Sequence, residues 1–371
     1  MAQIYKRGKT WTVRFSKRQH QWDSKQQKTT SVLKQKSKGG FKTKVEARTY
    51  GIKMESESLS GVDVTKNPVF AEYYKNWYET FKFPSLSPST KNRYKIDYKF
   101  IKKYFNDTKL KYITREQYQE FINWFAKRHA VATVRKINIS IKSCTNYAID
   151  DGLLNHSFAD HVSISGNSTK ERPVEYLSLK EIKTLVKSCK QRLNPQKTSK
   201  YLILAAIYTG ARLGELSALQ WSDINFSNKT ISITKSWNSD RKDMRKPKTK
   251  SSIRTIPVNF SLLSLLKELK CNHTDFVFGS PTSKIPPTSN GVNKVLHVLL
   301  KENALSKKNF HFHSLRHSHV AYLLSQGVDI YAISKRLGHA DISITLKTYA
   351  YLLDEFKNKQ NDKIIDSLSK L

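Results

Sequence analysis

Two arginines, two histidines and a late tyrosine stand out in roughly the last 160 positions of this chain. They are Arg212 in the run TGARLGEL, His313 and Arg316 in HSLRH, His339 after Leu337-Gly338, and Tyr349 ten residues further on. Few acidic residues surround them, so the clustered carboxylates that would hold a catalytic magnesium are missing. The set suits fixed positive charge gripping a phosphodiester and a phenol attacking it. Arginine holds a planar oxyanion bidentately, and histidine exchanges a proton near neutral pH. His313 and Arg316, three apart, share a face if their stretch is helical. Glu215, three residues after Arg212, shares its face and is placed to orient the guanidinium. The helix start beside Arg212 also favours an anion.

The neighbouring positions keep other readings open. His311, His317 and His319 crowd the same stretch with spacings that suit zinc, but no cysteine or carboxylate lies nearby in sequence to complete a tetrahedron, so no metal is expected. Asp329 is placed to cap a helix striped by Ile330, Ile333 and Leu337. Gly338 ends that helix and leaves His339 just past its terminus. Ile342, Leu346, Tyr349 and Leu353 recur at helical spacing, so periodicity alone makes Tyr349 a core residue, and Tyr351 competes with it as the reactive phenol.

Composition decides what such a site would act on. The 371 residues carry 66 Lys+Arg against 30 Asp+Glu, a formal net charge of +36. That excess points to a polyanion, because every phosphate neutralised releases condensed counterions. Residues 1–60 alone hold fifteen Lys/Arg and four Asp/Glu. No apolar run approaches the roughly 20 residues of a membrane span, and the N-terminus lacks a signal-peptide core. A cytoplasmic protein is expected, with no membrane partner. Cys144, Cys189 and Cys271 are far apart and show no CxxC pairing, so they read as buried free thiols. No Walker or Rossmann glycine pattern is present, so no cofactor is expected.

Three segments follow from the patterning. Residues 1–60 read as a small α+β domain, a three-stranded sheet plus one helix. Lys9 to Phe15 alternates with period two, Gly39-Gly40 marks a turn, and a helix opens at Phe41 and runs to about Leu59. Lys9, Arg14, Lys28, Lys42 and Lys44 are its candidate nucleic-acid contacts. After a linker at 60–68, residues 67–165 read as an all-α four-helix domain. Phe70, Tyr74, Trp77 and Phe81 share one face of its first helix, and Thr114 with Gln117 has capping-box spacing. A second linker, 166–173, precedes a mixed, mainly α domain over 174–371 with a small β-sheet. There Ser178 and Glu181 cap a helix, YLILAAIY at 201–208 is apolar all round, and two strands, 230–234 and 252–258, flank a long basic loop. Lys246 and Lys250 in that loop are candidate DNA contacts. Ile364, Leu368 and Leu371 make the tail a candidate partner helix.

Together these runs resemble the tyrosine recombinase (phage integrase) family. TGARLGEL, the PKTKSSIRTIPV hairpin, HSLRH and RLGHADISITLKTY occur in that family's order. The resemblance implies an arm-type DNA-binding domain, a helical core-binding domain and a catalytic domain that closes around DNA. It implies Tyr349 as nucleophile, forming a 3′-phosphotyrosyl link and freeing a 5′-hydroxyl. It further implies that Arg212 and Arg316 hold the non-bridging oxygens, that His313 takes the phenolic proton and that His339 hydrogen-bonds the phosphate. The family's hairpin lysine, which protonates the leaving oxygen, best matches Lys248, with Lys250 and Lys235 as alternatives. The implied partners are double-stranded DNA attachment sites, a homotetramer during synapsis, and accessory DNA-bending or excision proteins. A non-catalytic DNA-binding regulator and a type IB topoisomerase are the rival readings. The arm-like N-terminal unit favours site-specific recombination over the topoisomerase.

Overall fold

The computed structural model describes residues 2–23, 28–59, 66–171, 173–239, 241–247, 249–305, 307–355, 365 and 368–369. The chain forms two compact units, Met1–Glu171 and Arg172–Leu371.

The first unit opens with an antiparallel sheet of order β1-β2-β3: β1 (Ala2–Arg7), β2 (Thr10–Asp23) and β3 (Lys28–Phe41). Strand alternation sends Val13 and Phe15 into the core, where Phe15 meets Met54 of helix α1 (Lys44–Leu59). Ala47 and Gly51 lie on the same buried face of α1. Arg14 takes the opposite face, where it stacks on Tyr5. The helix starts later than its sequence suggests. Phe41 still belongs to β3, and the Thr43 hydroxyl accepts the Glu46 N–H as an N-cap. β1 pairs only with Thr10–Phe15, so β2 and β3 run on beyond it as a two-stranded ribbon in which Lys17 stands opposite Lys34.

The helices α2 (Phe70–Trp77), α3 (Pro88–Phe105), α4 (Arg115–Ala126) and α5 (Val131–Asp150) complete this unit around an aromatic core. The Thr114–Gln117 capping box starts α4. Phe70, Tyr74 and Trp77 are buried as their spacing predicts, but Phe81 is exposed. After Trp77 the chain makes a π-turn over Tyr78–Lys82, whose wider winding breaks the phase of the stripe; Tyr78 is buried instead and Phe81 turns outward.

The second unit is built around α7 (Ser199–Thr209), whose residues 201–207 are all buried because every face is apolar. Around it pack α6 (Leu179–Lys190), α8 (Leu213–Ser217), α9 (Phe260–Glu268), α10 (Ser289–Glu302) and α11 (Phe312–Ser325). A sheet of order β4-β5-β8 joins β4 (Ile224–Asn225), β5 (Thr230–Ile233) and β8 (Arg254–Pro257). The basic segment between β5 and β8 is not all loop. It folds part of its length into a hairpin, β6 (Ser236–Asn238) with β7 (Asp243–Arg245). The last helices are α12 (Ile330–Leu337), capped by Asp329, and α13 (Ile342–Glu355).

The α13 stripe differs from its sequence reading. Thr345 and Tyr349 are buried, whereas Leu346 and Ile344 are exposed, so α13 packs through a face only partly apolar. The proposed tail helix falls mostly outside the described residues. Cys144 and Cys189 are buried as expected, but Cys271 is exposed.

Candidate active site

Four elements of the second unit converge on the residues singled out above. Gly210 ends α7 at φ 68°, in the left-handed region, and a Cβ there would stand 2.5 Å from the His319 ring. The turn at Gly210 delivers Arg212 to the start of α8. Glu215 holds it twice: Oε2 accepts the Arg212 backbone N–H at 2.9 Å, and Oε1 accepts from Nη1 at 2.8 Å. Burial alone would raise the Glu215 carboxyl, but hydrogen bonding and charge from Arg254, then Arg212, carry it below the usual carboxylate range.

Arg316 projects from α11 and is buried. It donates from Nη1 to the Gly210 carbonyl at 2.9 Å, and from Nη2 to the Leu337 carbonyl at 2.8 Å and His339 Nε2 at 2.9 Å. Burial first, then Arg212, pushes its guanidinium down to about 9. Because arginine only donates, His339 Nε2 is the acceptor, and Nδ1–H is left to donate to the Thr345 hydroxyl at 2.7 Å. His339 therefore spends both ring nitrogens within the protein here. Gly338, at φ 73°, makes the tight exit from α12 that allows this.

Tyr349 is 1% exposed, and its hydroxyl lies 2.8 Å from Nδ1 of His317, not against His313. His317 in turn meets the His313 ring edge-on, centroids 5.1 Å apart. The imidazoles of His313, His317 and His339 are each pushed down to about 4, by desolvation first and then by neighbouring charge. For His313 and His339 that charge is led by Arg316; for His317 it is led by His313. All three are neutral near pH 7.

An open pocket lies over Arg212 and His339, lined also by Lys235, Arg245, Lys246 and Thr249. Lys235 is engaged from below, donating to Gln220 Oε1 at 2.6 Å and pairing with Asp223 at 3.2 Å. Lys248 and the Lys250 side chain lie outside the described residues. Among the described residues, no group of three His, Cys, Asp or Glu side chains is placed to hold a metal ion. In the first unit, Lys9 and Lys42 are exposed and Lys44 lies over the Trp11 ring at 5.6 Å. The Lys28 side chain lies outside the described residues.

Sequence reasoning missed Arg254, His317 and Arg336 as members of this arrangement. Arg254 could have been found, since it lies two residues from buried Ile256 on β8 and so points inward. Arg336 carries no such signal. Its guanidinium ties the Tyr208 and Pro257 carbonyls, 128 and 79 positions away in sequence, to His319.

The basic pocket over Arg212 and His339 sits in a mainly α unit with a small sheet, the setting of a protein that works on a polyanion. Residues 175–355 match the Phage integrase family, and residues 69–125 match its N-terminal SAM-like domain. The chain belongs to the phage integrase family and is a site-specific tyrosine recombinase. It is 29% identical over 296 residues to a tyrosine recombinase XerC-like protein of Caldanaerobacter subterraneus subsp. tengcongensis, covering 71% of this chain and 72% of that one. Its fold resembles the Tn1549 transposon integrase in complex with transposon right end DNA, with TM-score 0.67, 18% identity, and 80% of this chain and 99% of that one covered. It also resembles a lambda integrase tetramer bound to a Holliday junction, with TM-score 0.59, 17% identity, and 91% and 95% covered. No described helix is long and apolar enough to cross a membrane.

Proposed function

We propose that this chain is the integrase of a mobile element, inserting and excising it at DNA attachment sites through a 3′-phosphotyrosyl intermediate. The observation that carries the reading is the convergence of Arg212, Arg316 and His339 around a basic pocket, with Tyr349 on the adjoining helix.

Tyr349 is the nucleophile. Its O–H proton passes to a neighbouring neutral imidazole as Oη bonds to phosphorus, and the P–O5′ bond breaks. Lys248 gives a proton to the leaving oxygen. Arg212 and Arg316 stabilise the charge that builds on the non-bridging oxygens. An unperturbed phenol titrates near 10, so the surrounding cations and histidines supply the help it needs. His313 stands one ring beyond His317 from the phenol, so it would take the proton through His317 or after α13 moves. His339 would reach the phosphate only after releasing Arg316. Because Tyr349 is buried, attack requires α13 to carry it outward. The phosphotyrosyl bond keeps the reactivity of the phosphodiester it replaced, so a partner strand's 5′-hydroxyl reseals it without metal or ATP.

Residues 1–60 serve as an arm-type DNA-binding domain, with Arg14 and the ribbon lysines against phosphate. Residues 67–165 grip the core site, and 174–371 cut it. Four protomers act on two duplexes, aided by accessory DNA-bending or excision proteins, in the cytoplasm of a bacterial host. The lambda integrase tetramer on a Holliday junction supports that stoichiometry by likeness of fold.

Incubation with nicked suicide DNA carrying candidate attachment sites tests the reading. A covalent 3′ adduct lost in Tyr349→Phe and kept in Tyr351→Phe is expected. An adduct retained in Tyr349→Phe would refute the assignment.

A further inference from the structure

Glu215 is a buried carboxylate shared by two guanidiniums. Arg254 donates from Nη2 to Oε2 at 2.9 Å and from Nη1 to Oε1 at 3.4 Å, while Arg212 donates from Nη1 to Oε1 at 2.8 Å. The two arginines differ in exposure. Arg212 keeps 41% of its side chain open, whereas Arg254 keeps 7%. Arg254 also donates from Nε to the Arg336 carbonyl at 2.7 Å and from Nη1 to the Ser252 carbonyl at 3.0 Å. Four of its N–H donors are thus taken up inside the protein, two of them by Glu215, and Arg254 does not line the basic pocket over Arg212.

Its position gives it another task. A buried carboxylate facing one guanidinium neutralises it; facing two, it leaves one charge over. Arg254 supplies the second charge from the buried side, so the net charge is left on the exposed Arg212. The same guanidinium ties β8, which follows the lysine-bearing loop, to the last turn of α12, three residues before His339. A Cβ on Gly338 would stand 3.0 Å from Arg254 Nη1, so the contact is close-packed. Lysine has one ammonium and no fork, and cannot span Glu215 and the Arg336 carbonyl together.

We propose that Arg254 is a positioning residue for DNA cleavage: it compensates Glu215 and anchors it to β8 and α12, leaving the Arg212 charge available to the scissile phosphate. This rests on the reading that Arg212 grips that phosphate.

The test uses the full chain, a nicked suicide duplex, equilibrium binding and single-turnover adduct formation. Arg254→Gln and Arg254→Lys are expected to bind DNA within about threefold of wild type but to cleave on the order of 100-fold more slowly, as for loss of a transition-state donor. In a Glu215→Gln background there is no carboxylate left to compensate, so Arg254→Gln should cost less than about threefold there. This double variant carries no orphaned buried charge, which keeps the test open if Arg254→Gln alone does not fold. A duplex with a neutral methylphosphonate at the scissile position should close most of the gap between wild type and Arg254→Lys. Arg254 variants that cleave within about threefold of a wild type forming its adduct at Tyr349 would overturn the inference alone. So would a full 100-fold loss in the Glu215→Gln background, or an unchanged gap on methylphosphonate. An adduct persisting in Tyr349→Phe would overturn the phosphotyrosyl reading, and this inference with it.

Discussion

The Tyr349 hydroxyl and His317 Nδ1 lie 2.8 Å apart, between α13 and α11, with the tyrosine in a cluster that includes Val320, Leu324, Ile333 and Leu337. The phenol is the stronger acid, so it donates to the neutral imidazole. This bond stabilises the packing of α13 on its own unit. A double-mutant cycle of His317→Ala and Tyr349→Phe, read by urea denaturation, should give a coupling of about 0.5–1.5 kcal/mol. Strict additivity would show that the contact contributes nothing to docking.

Acid should loosen the catalytic unit. His317 and His339 are held at about 4 and buried His319 at about 3, chiefly by desolvation, against about 6.5 in the unfolded chain. Below 6.5 the unfolded chain binds protons that the folded one refuses. The stability these sites contribute is thus complete above 6.5 and is lost as pH falls toward 4. The melting temperature of the full chain should drop steeply between pH 6.5 and 4.5, and His319→Gln should flatten that drop. A level profile would contradict the burial of these rings.

The proposal that Lys248 serves the leaving oxygen can be tested by changing that oxygen. A 5′-bridging phosphorothiolate leaves without protonation. The cleavage defect of Lys248→Ala should therefore nearly vanish on it, while Lys235→Ala, whose ammonium is engaged by Asp223 and Gln220, should show no such rescue. Rescue of Lys235→Ala instead would reassign the role.

In the helical domain, buried Asp97 is raised to about 6, by desolvation first, with Arg93 opposing, and its Oδ2 has no hydrogen-bond partner among the described residues. Here the folded value exceeds the unfolded one, so the site's contribution is present below about 4 and lost as pH rises through 6. Asp97→Asn should stabilise the chain by about 1–3 kcal/mol at pH 8 and by little at pH 4, measured by denaturant titration. Destabilisation at pH 8 would mean that the carboxylate has a partner that this geometry does not include.

Much of the architecture could be read from local chemistry. Caps at Asp329, Ser178 and Thr114, the all-apolar YLILAAIY helix, and the αL glycines at 210 and 338 depend on near neighbours, and these elements sit where their residues dictate. The readings that failed needed more than neighbours. Phe81 was misplaced because one π-turn changes the phase of a stripe. Leu346 was misplaced because α13 buries Thr345 and Tyr349 in place of its most apolar face. The residues proposed to grip phosphate stand out in the sequence as types and spacing, but their partners do not. That Tyr349 meets His317, and that Glu215 is divided between Arg212 and Arg254, depends on helices and strands far apart in sequence.

The unequal burial of the three cysteines has a practical consequence. Burial pushes the Cys189 thiol up to about 12 and Cys144 well above its ordinary value, so neither forms a reactive thiolate near neutral pH. Cys271, exposed after α9, is the thiol that a maleimide dye would find. The unaltered sequence thus offers a single fluorescent handle on the catalytic unit, from which its arrival on a labelled duplex could be followed one molecule at a time.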